Sequence, residues 1–442
     1  MRNNILFILF PLLFFYGIKI SAQNQYHPND FDLFEDKLET LHESYLSNIQ
    51  GKNAKKIKKK YKELYAGFVE SVEDSAFYFN ATIDFSLDNV INEIAKNNAE
   101  INAKDLTFLV KNSTIPNAAC YGNGLFHLNL ALFNYIESED ELAFIVAHEI
   151  AHYQLEHNKK KLTNYVNTLH SKSTKERLKN IRRKKYGVTR GVMSMMDDIG
   201  VEFINRTIQS EKEADSLGFL LLSKTKYNQS AALSALERLE IEDDVLFDHD
   251  PQLKKRFNFR KLPFKDKWLA EEKSSLFDLE DEVDDFSLRK DTLKTHPEIK
   301  ERLEFLKKTF NVKSNNSDLL AQRTLADVRE ITLHHTIDFT IDFKFLDLSI
   351  YLLSKYRSEN LISEAYFKDK LILVFETIYH ARLNHELGKY VPQKNDMSDE
   401  LMLNQIRLFI HNLEITEIKT IATLLCQQYN RDNGENTKCL EN

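Results

Sequence analysis

The chain has 442 residues, 42% of them hydrophobic and 29% charged, which is enough apolar content to bury a large core and too much for a disordered chain. With 11 glycines and 7 prolines, turn-rich β-sandwiches, collagen and low-complexity linkers are disfavoured and a helix-rich protein is expected. A net charge of −7 argues against nucleic acid as a partner. The three cysteines (Cys120, Cys426, Cys439) are too few for a disulfide scaffold, although one bridge, Cys426 to Cys439, stays open.

Residues 1–22 carry Arg2, an apolar run from Ile5 to Ile18 and the small pair Ser21 and Ala22, the pattern of an export signal peptide. The run falls short of the ~20 residues that span a bilayer, and no later stretch matches it without charges, so no integral membrane segment is expected beyond the signal. Cleavage after Ala22 removes Arg2 and Lys19 and no acid, which moves the net charge from −7 to −9 and places the product in the periplasm or at the envelope. An uncleaved anchor is the alternative.

Residues 23–85 read as an N-terminal helical segment. From Asn53 to Tyr65 six lysines surround a greasy edge of Ile57, Tyr61 and Leu64, a helix whose basic face is either solvated or set against anionic lipid. Asp88 to Asn98 has the spacing of a short amphipathic helix, and Leu106 to Val110 that of a buried strand. In Gly122 to Asn129, turn glycines precede an alternating run that suits an edge strand, in which Gly124, Leu125, Phe126 and His127 would hold an extended peptide substrate by main-chain hydrogen bonds.

Further on, residues of about 159–195 are basic and polar and suggest a mobile insertion. Residues 242–291, with the acidic run Glu280 to Asp285, suggest a second one, a loop or lid. Residues 311–442 repeat apolar positions at helical spacing, as in Leu346, Ile350, Leu353 and Tyr356, and Thr336 to Phe343 fits both periods but is assigned helix. The fold class expected is mainly α with a small β-sheet (α+β), the C-terminal domain being either a plain bundle or a degenerate tetratricopeptide-like array with a groove for a protein partner.

The chemistry concentrates in Ser138 to His157, SEDELAFIVAHEIAHYQLEH. Ser138 and Glu141 form a capping box that opens a helix. His148 and His152, four apart, lie one turn from each other on one face and can direct both imidazoles at one ion, while Glu149 is rotated about 100° from His148, toward the water such an ion would activate. A catalytic zinc needs a third protein ligand. His157 would sit about 140° away from His152 on the same helix, so its place there is packing or capping, and the metzincin position is taken by Asn158. In Ser210 to Phe219, SEKEADSLGF, Glu211 and Asp215 share a helix face and Glu213 points the other way. Glu211 can therefore ligate while Asp215 orients a ligating histidine.

Together these segments, with Asn117, Ala118 and Gly124 before the helix and Thr295-His296-Pro297 with Arg302 after it, resemble the HtpX-like zinc metallopeptidases (metallopeptidase family 48), over roughly Asp88 to Phe310. That group includes CaaX prenyl proteases and soluble periplasmic proteases of the BepA type. The resemblance implies a gluzincin-like HExxH core over residues 86–310, one zinc ion per chain and Glu211 as third ligand. It places His296 and Arg302 beside the cleft, His296 as a reversible plug of the metal and Arg302 as partner of a carboxylate or of a developing oxyanion. The spanning helices of the membrane-embedded branches are missing. The expected activity is endopeptidase action on unfolded or misassembled envelope proteins, with water activated at the metal as nucleophile and Glu149 as general base. The rival from another class is an envelope chaperone or assembly factor with a plugged or mainly structural zinc.

Overall fold

The computed structural model describes residues 31–73, 76–182, 207–245, 247–271, 299–312, 325–395, 400–436 and 438–440; the expected signal, the acidic run Glu280 to Asp285 and His296 lie outside them. Helices α1 (Phe31–Ser47) and α2 (Ala54–Glu73) precede strand β1 (Phe77–Tyr78) and helix α3 (Ala81–Asn97). Strands β2 (Thr107–Lys111), β3 (Ala118–Cys120) and β4 (Leu125–Asn129) follow, then α4 (Leu132–Tyr135), α5 (Glu139–Gln154), α6 (His157–His170) and α7 (Lys172–Arg182). Helix α8 is described over 207–223. After α9 (Ala231–Val245), α10 (Leu253–Arg256) and α11 (Ile299–Phe310) come the C-terminal helices α12 (Ala326–Asp342), α13 (Leu346–Ser358), α14 (Glu364–Leu383), α15 (Leu387–Tyr390), α16 (Leu401–Asn412) and α17 (Ile415–Asn433). The expected α+β class, mostly helical around a small sheet, is what the chain adopts.

The sheet corrects one expectation. Its order is β1-β2-β4-β3, so β4 is no edge strand: it pairs parallel with β2 (Phe108 with Phe126) and antiparallel with β3 (Ala119 with His127). Leu125, Phe126 and His127 are buried together with the rest of β4, and both of its hydrogen-bonding rims are occupied. Gly124 serves the turn into it. Its φ of +81° is a left-handed conformation, and a Cβ there would collide with the carbonyl oxygen of Asp105. The edge strand near the site is β3.

Two large cores form. One joins α3, the sheet, α5, α8, α9 and α11 and draws in Leu325 and Val328 at the start of α12; the other lies among α12 to α17. Both expected mobile insertions are packed against the rest of the protein where they are described, the first as helices and the second, over 247–271, as largely irregular chain. Residues 157–182 are helical, with Val166 buried against Ile57 and Tyr61 of α2, so the polar surface of this region hides one apolar contact. Within 242–291, Leu253, Phe257, Phe259 and Trp268 belong to the C-terminal core, and the Trp268 Nε1 donates to Glu417 Oε2 at 2.9 Å. Their spacing follows neither helical nor strand period, which is why the segment read as a lid.

Three helix ends in the C-terminal half, those of α12, α13 and α14, share one device. Lys344, Asn360 and His385 all have φ of +58°, and the amides of Phe345, Leu361 and Glu386 each donate 2.8 Å back to the carbonyls of Thr340, Tyr356 and Ala381. These are Schellman stops built without glycine, which is how a glycine-poor chain makes tight helix hairpins. Cys426 and Cys439 form a disulfide that ties the residues after α17 back to it.

Helix α12 docks on the sheet through His335, whose Nε2 lies 3.0 Å from Asn112 Oδ1 and whose ring stacks on Tyr78 at 3.6 Å. Burial pushes its pKa down to about 4. The folded protein therefore binds fewer protons here than the unfolded chain between pH 6.5 and 4, and stability is lost as pH falls through that window. His335→Gln, which keeps a donor for Asn112, is expected to lose about 2.5 kcal/mol less than the parent between pH 7 and 4.5. Urea unfolding at the two pH values measures this, and parallel curves for both proteins would refute it.

Candidate metal centre

Helix α5 is fixed before its histidines begin. Ser138 Oγ accepts from Glu141 N at 3.2 Å, the Glu141 carboxylate accepts from Glu137 N at 2.7 Å, and Arg238 Nε donates to the same carboxylate at 3.0 Å. The box is thus shifted by one residue, with Glu141 reaching past Ser138 to Glu137. Leu142, Ala143, Val146, Ala147 and Ile150 are wholly buried, so α5 runs through the middle of the first core.

Helix α8 lies directly against it. At Gly218 a Cβ would come within 2.9 Å of His148 Cα and 3.0 Å of His148 N, so only glycine allows this approach of the two backbones. One and two turns earlier on α8, Asp215 and Glu211 then face the histidines. His148 Nε2 and His152 Nε2 stand 3.0 Å apart, and each is 3.5 Å from a different oxygen of Glu211. Tetrahedral ligands at about 2.0–2.1 Å from one zinc ion are about 3.3 Å from each other, so this trio has the spacing of three corners of such a site. Two nitrogens and one carboxylate make the donor set of a catalytic centre, with the fourth corner left for solvent or substrate. The expected convergence of His148, His152 and Glu211 is therefore present, and all three residues could hold a metal ion.

The surroundings organise this trio. Asp215 is fully buried, its Oδ1 3.0 Å from His148 Nδ1, and it receives Arg302 Nε at 2.8 Å and Nη2 at 2.7 Å. Burial opposes the charge on Asp215, but the Arg302 guanidinium outweighs it and holds the carboxyl at about 2. Burial likewise opposes the charge on Arg302, and Asp215, Glu211 and Glu149 together keep it protonated. Its remaining Nη1 is 3.6 Å from Glu211 Oε2. Of the two roles expected for Arg302, the structure brings about the carboxylate pairing. With both Nε and Nη2 on Asp215, it is a positioning residue and not a free donor for an oxyanion. Glu149 is 7% exposed, and its charge is felt both by Arg302 and by the buried Cys120 thiol of β3.

His157 departs from expectation. Helix α5 does not continue to it: the chain breaks at Leu155 and turns at Glu156, which has φ of +53°, and His157 restarts the helix as the first residue of α6. That turn brings its Nδ1 back to 2.9 Å from His152 Nδ1. Glu213, set aside by the helical rotation from Glu211, meets His157 Nε2 at 3.2 Å and so joins the same group of histidines. A cleft of about 120 Å³ opens beside His152 and Glu211, with Lys160, Lys161 and Asn164 also on its wall.

The family model for peptidase family M48 matches residues 84–310, just over half of the chain, and spans every residue of the trio and its supports. No curated protein matches the chain. The match and the geometry agree, and the chain belongs to peptidase family M48: it is a metallopeptidase, a hydrolase of peptide bonds.

Proposed function

We propose that the metal is zinc, one ion per chain held by His148, His152 and Glu211, and that the protein is an exported endopeptidase acting on unfolded or misassembled envelope proteins. The observation that carries the reading is the buried trio with Glu149 beside it, because a general base next to a three-ligand centre is the arrangement peptide hydrolysis needs. Bound there, zinc supplies Lewis acidity for the scissile carbonyl and brings the pKa of water into the neutral range. Glu149 takes the proton from the attacking water and returns it to the leaving amine. Asp215, locked by Arg302, holds His148 through Nδ1 so that its Nε2 faces the metal.

Peptide pairing falls to β3 in place of β4. Ala119 faces His127 in the ladder, and by antiparallel alternation the main-chain groups of Ala118 and Cys120 point outward, where an extended substrate would add a strand by displacing the side chains of Asn117, which holds Ala118 N, and Asn158, which holds the Cys120 carbonyl. Recognition of this kind reads backbone more than side chains and supports a preference for unfolded segments. Export is supported by the N-terminal sequence and by the Cys426–Cys439 disulfide, which belongs to an oxidising compartment. Among the described residues no helix is long and apolar enough to cross a membrane, which supports the soluble branch of the family.

The test is digestion of casein by the full chain with and without chelator, alongside metal analysis of Glu211→Ala. Chelator-sensitive cleavage, with zinc absent from Glu211→Ala, is expected. Full zinc occupancy in that variant would move the third ligand elsewhere, and casein left intact by zinc-loaded protein would favour the chaperone alternative.

A further inference from the structure

We propose that His157 and Glu213 form the outer support of His152, a pair of positioning residues that fixes the tautomer and ring orientation of this ligand. The inference rests on the zinc reading above and goes beyond it by assigning two residues outside the trio. When His152 ligates through Nε2, its neutral imidazole carries the proton on Nδ1 and needs an acceptor there. The atom 2.9 Å away is His157 Nδ1, so His157 must accept at that nitrogen and carry its own proton on Nε2. That Nε2 in turn needs an acceptor, and Glu213 Oε2 stands 3.2 Å from it. Glu213 is steadied by Gln209, whose Nε2 donates to its other oxygen at 2.9 Å.

Every polar atom of this chain has one consistent role, and the direction of donation runs outward from the metal to a carboxylate. His148 has the same logic on its side, with Asp215 directly on Nδ1 and Arg302 behind it. The two ligands thus receive matched supports by different routes. For His152 a carboxylate cannot reach directly, and a second imidazole, itself 6% exposed, spans the distance. The rings cross at 74°, with centroids 4.9 Å apart, so the contact runs edge on through the nitrogens and is not a stack. The left-handed turn at Glu156 returns His157 to this position.

The experiment measures zinc affinity of the full chain by competition with a fluorescent chelator. His157→Leu fills the space without an acceptor and is expected to weaken zinc about 10- to 100-fold, whereas His157→Asn, whose Oδ1 replaces the accepting nitrogen, is expected to stay within about threefold of the parent. Glu213→Gln lies at the half-exposed end and is expected to weaken zinc about threefold to tenfold, with no further loss when added to His157→Leu. Circular dichroism of each variant reports the fold separately. Unchanged affinity in His157→Leu or in Glu213→Gln, while His148→Ala has lost its zinc, would overturn the assignment and leave the zinc reading standing. A parent protein that holds no zinc would overturn both.

Discussion

Glu149→Gln is expected to keep the fold and the bound metal and to slow peptide hydrolysis by about 10² to 10⁴-fold. The glutamine preserves the shape of the side chain but cannot take a proton. The ligand trio is His148, His152 and Glu211, and Arg302 keeps both its bonds to Asp215. Metal content by elemental analysis and casein cleavage by the same preparation separate the two properties. Parent-level cleavage by the variant would remove Glu149 from the mechanism, and loss of the metal would make it a ligand.

Asp215→Ala has the largest expected effect on stability. Arg302 is 6% exposed and makes two of its bonds to this one carboxylate, so the variant leaves a buried guanidinium with Glu211 at 3.6 Å as its nearest paired oxygen. Breaking one side of a buried pair costs about 3–5 kcal/mol, far more than the pair itself contributes, because the remaining charge stays out of water. The double variant Asp215→Leu with Arg302→Leu is accordingly expected to recover most of the loss. Its metal affinity is nevertheless expected to remain about 10- to 100-fold low, since His148 Nδ1 has no acceptor in either case. Urea unfolding in the presence of chelator isolates the first effect from the second. A single variant within about 1 kcal/mol of the parent would show that Arg302 finds another partner.

The legible part of the site is the part governed by one helix at a time. His148 and His152, and Glu211 and Asp215, are each four residues apart, and a regular helix leaves no choice about which face they share. What sequence could not supply is where a helix stops. A helical count puts His157 about 140° from His152 only if the rotation runs on through Leu155 and Glu156, and at Glu156 the backbone turns left-handed and the count no longer applies. Glu213 was missed for the same reason, its partner being on α6. Gly218 stood in plain view within SEKEADSLGF, and its role depends on which backbone lies against it.

Strand order is a further long-range property. Alternation marked Leu125 to Asn129 as a strand, yet a central and an edge position differ only in whether β3 pairs with it, and β3 is three residues long. The helical class, the small sheet and the helical C-terminal region followed from composition and period. The residues 253–268 that complete the C-terminal core did not, because they join it by irregular contacts of single aromatic rings.

The junction between the two halves bears on how this protein can be cut. Asn134, ahead of the metal-binding helix, takes Thr332 Oγ1 on its carbonyl oxygen at 2.9 Å and gives its amide to Thr336 and to the Tyr356 hydroxyl, each at 3.3 Å, while Leu325 and Val328 sit in the protease core. The family match contains Asn134 but ends at residue 310, short of Leu325, Val328, Thr332, Thr336 and Tyr356. A fragment trimmed to that limit would expose an apolar patch and strand a buried amide just upstream of the helix carrying His148. The catalytic half therefore has no self-sufficient boundary there, and the C-terminal helices are a wall of the peptidase as much as an appendage to it.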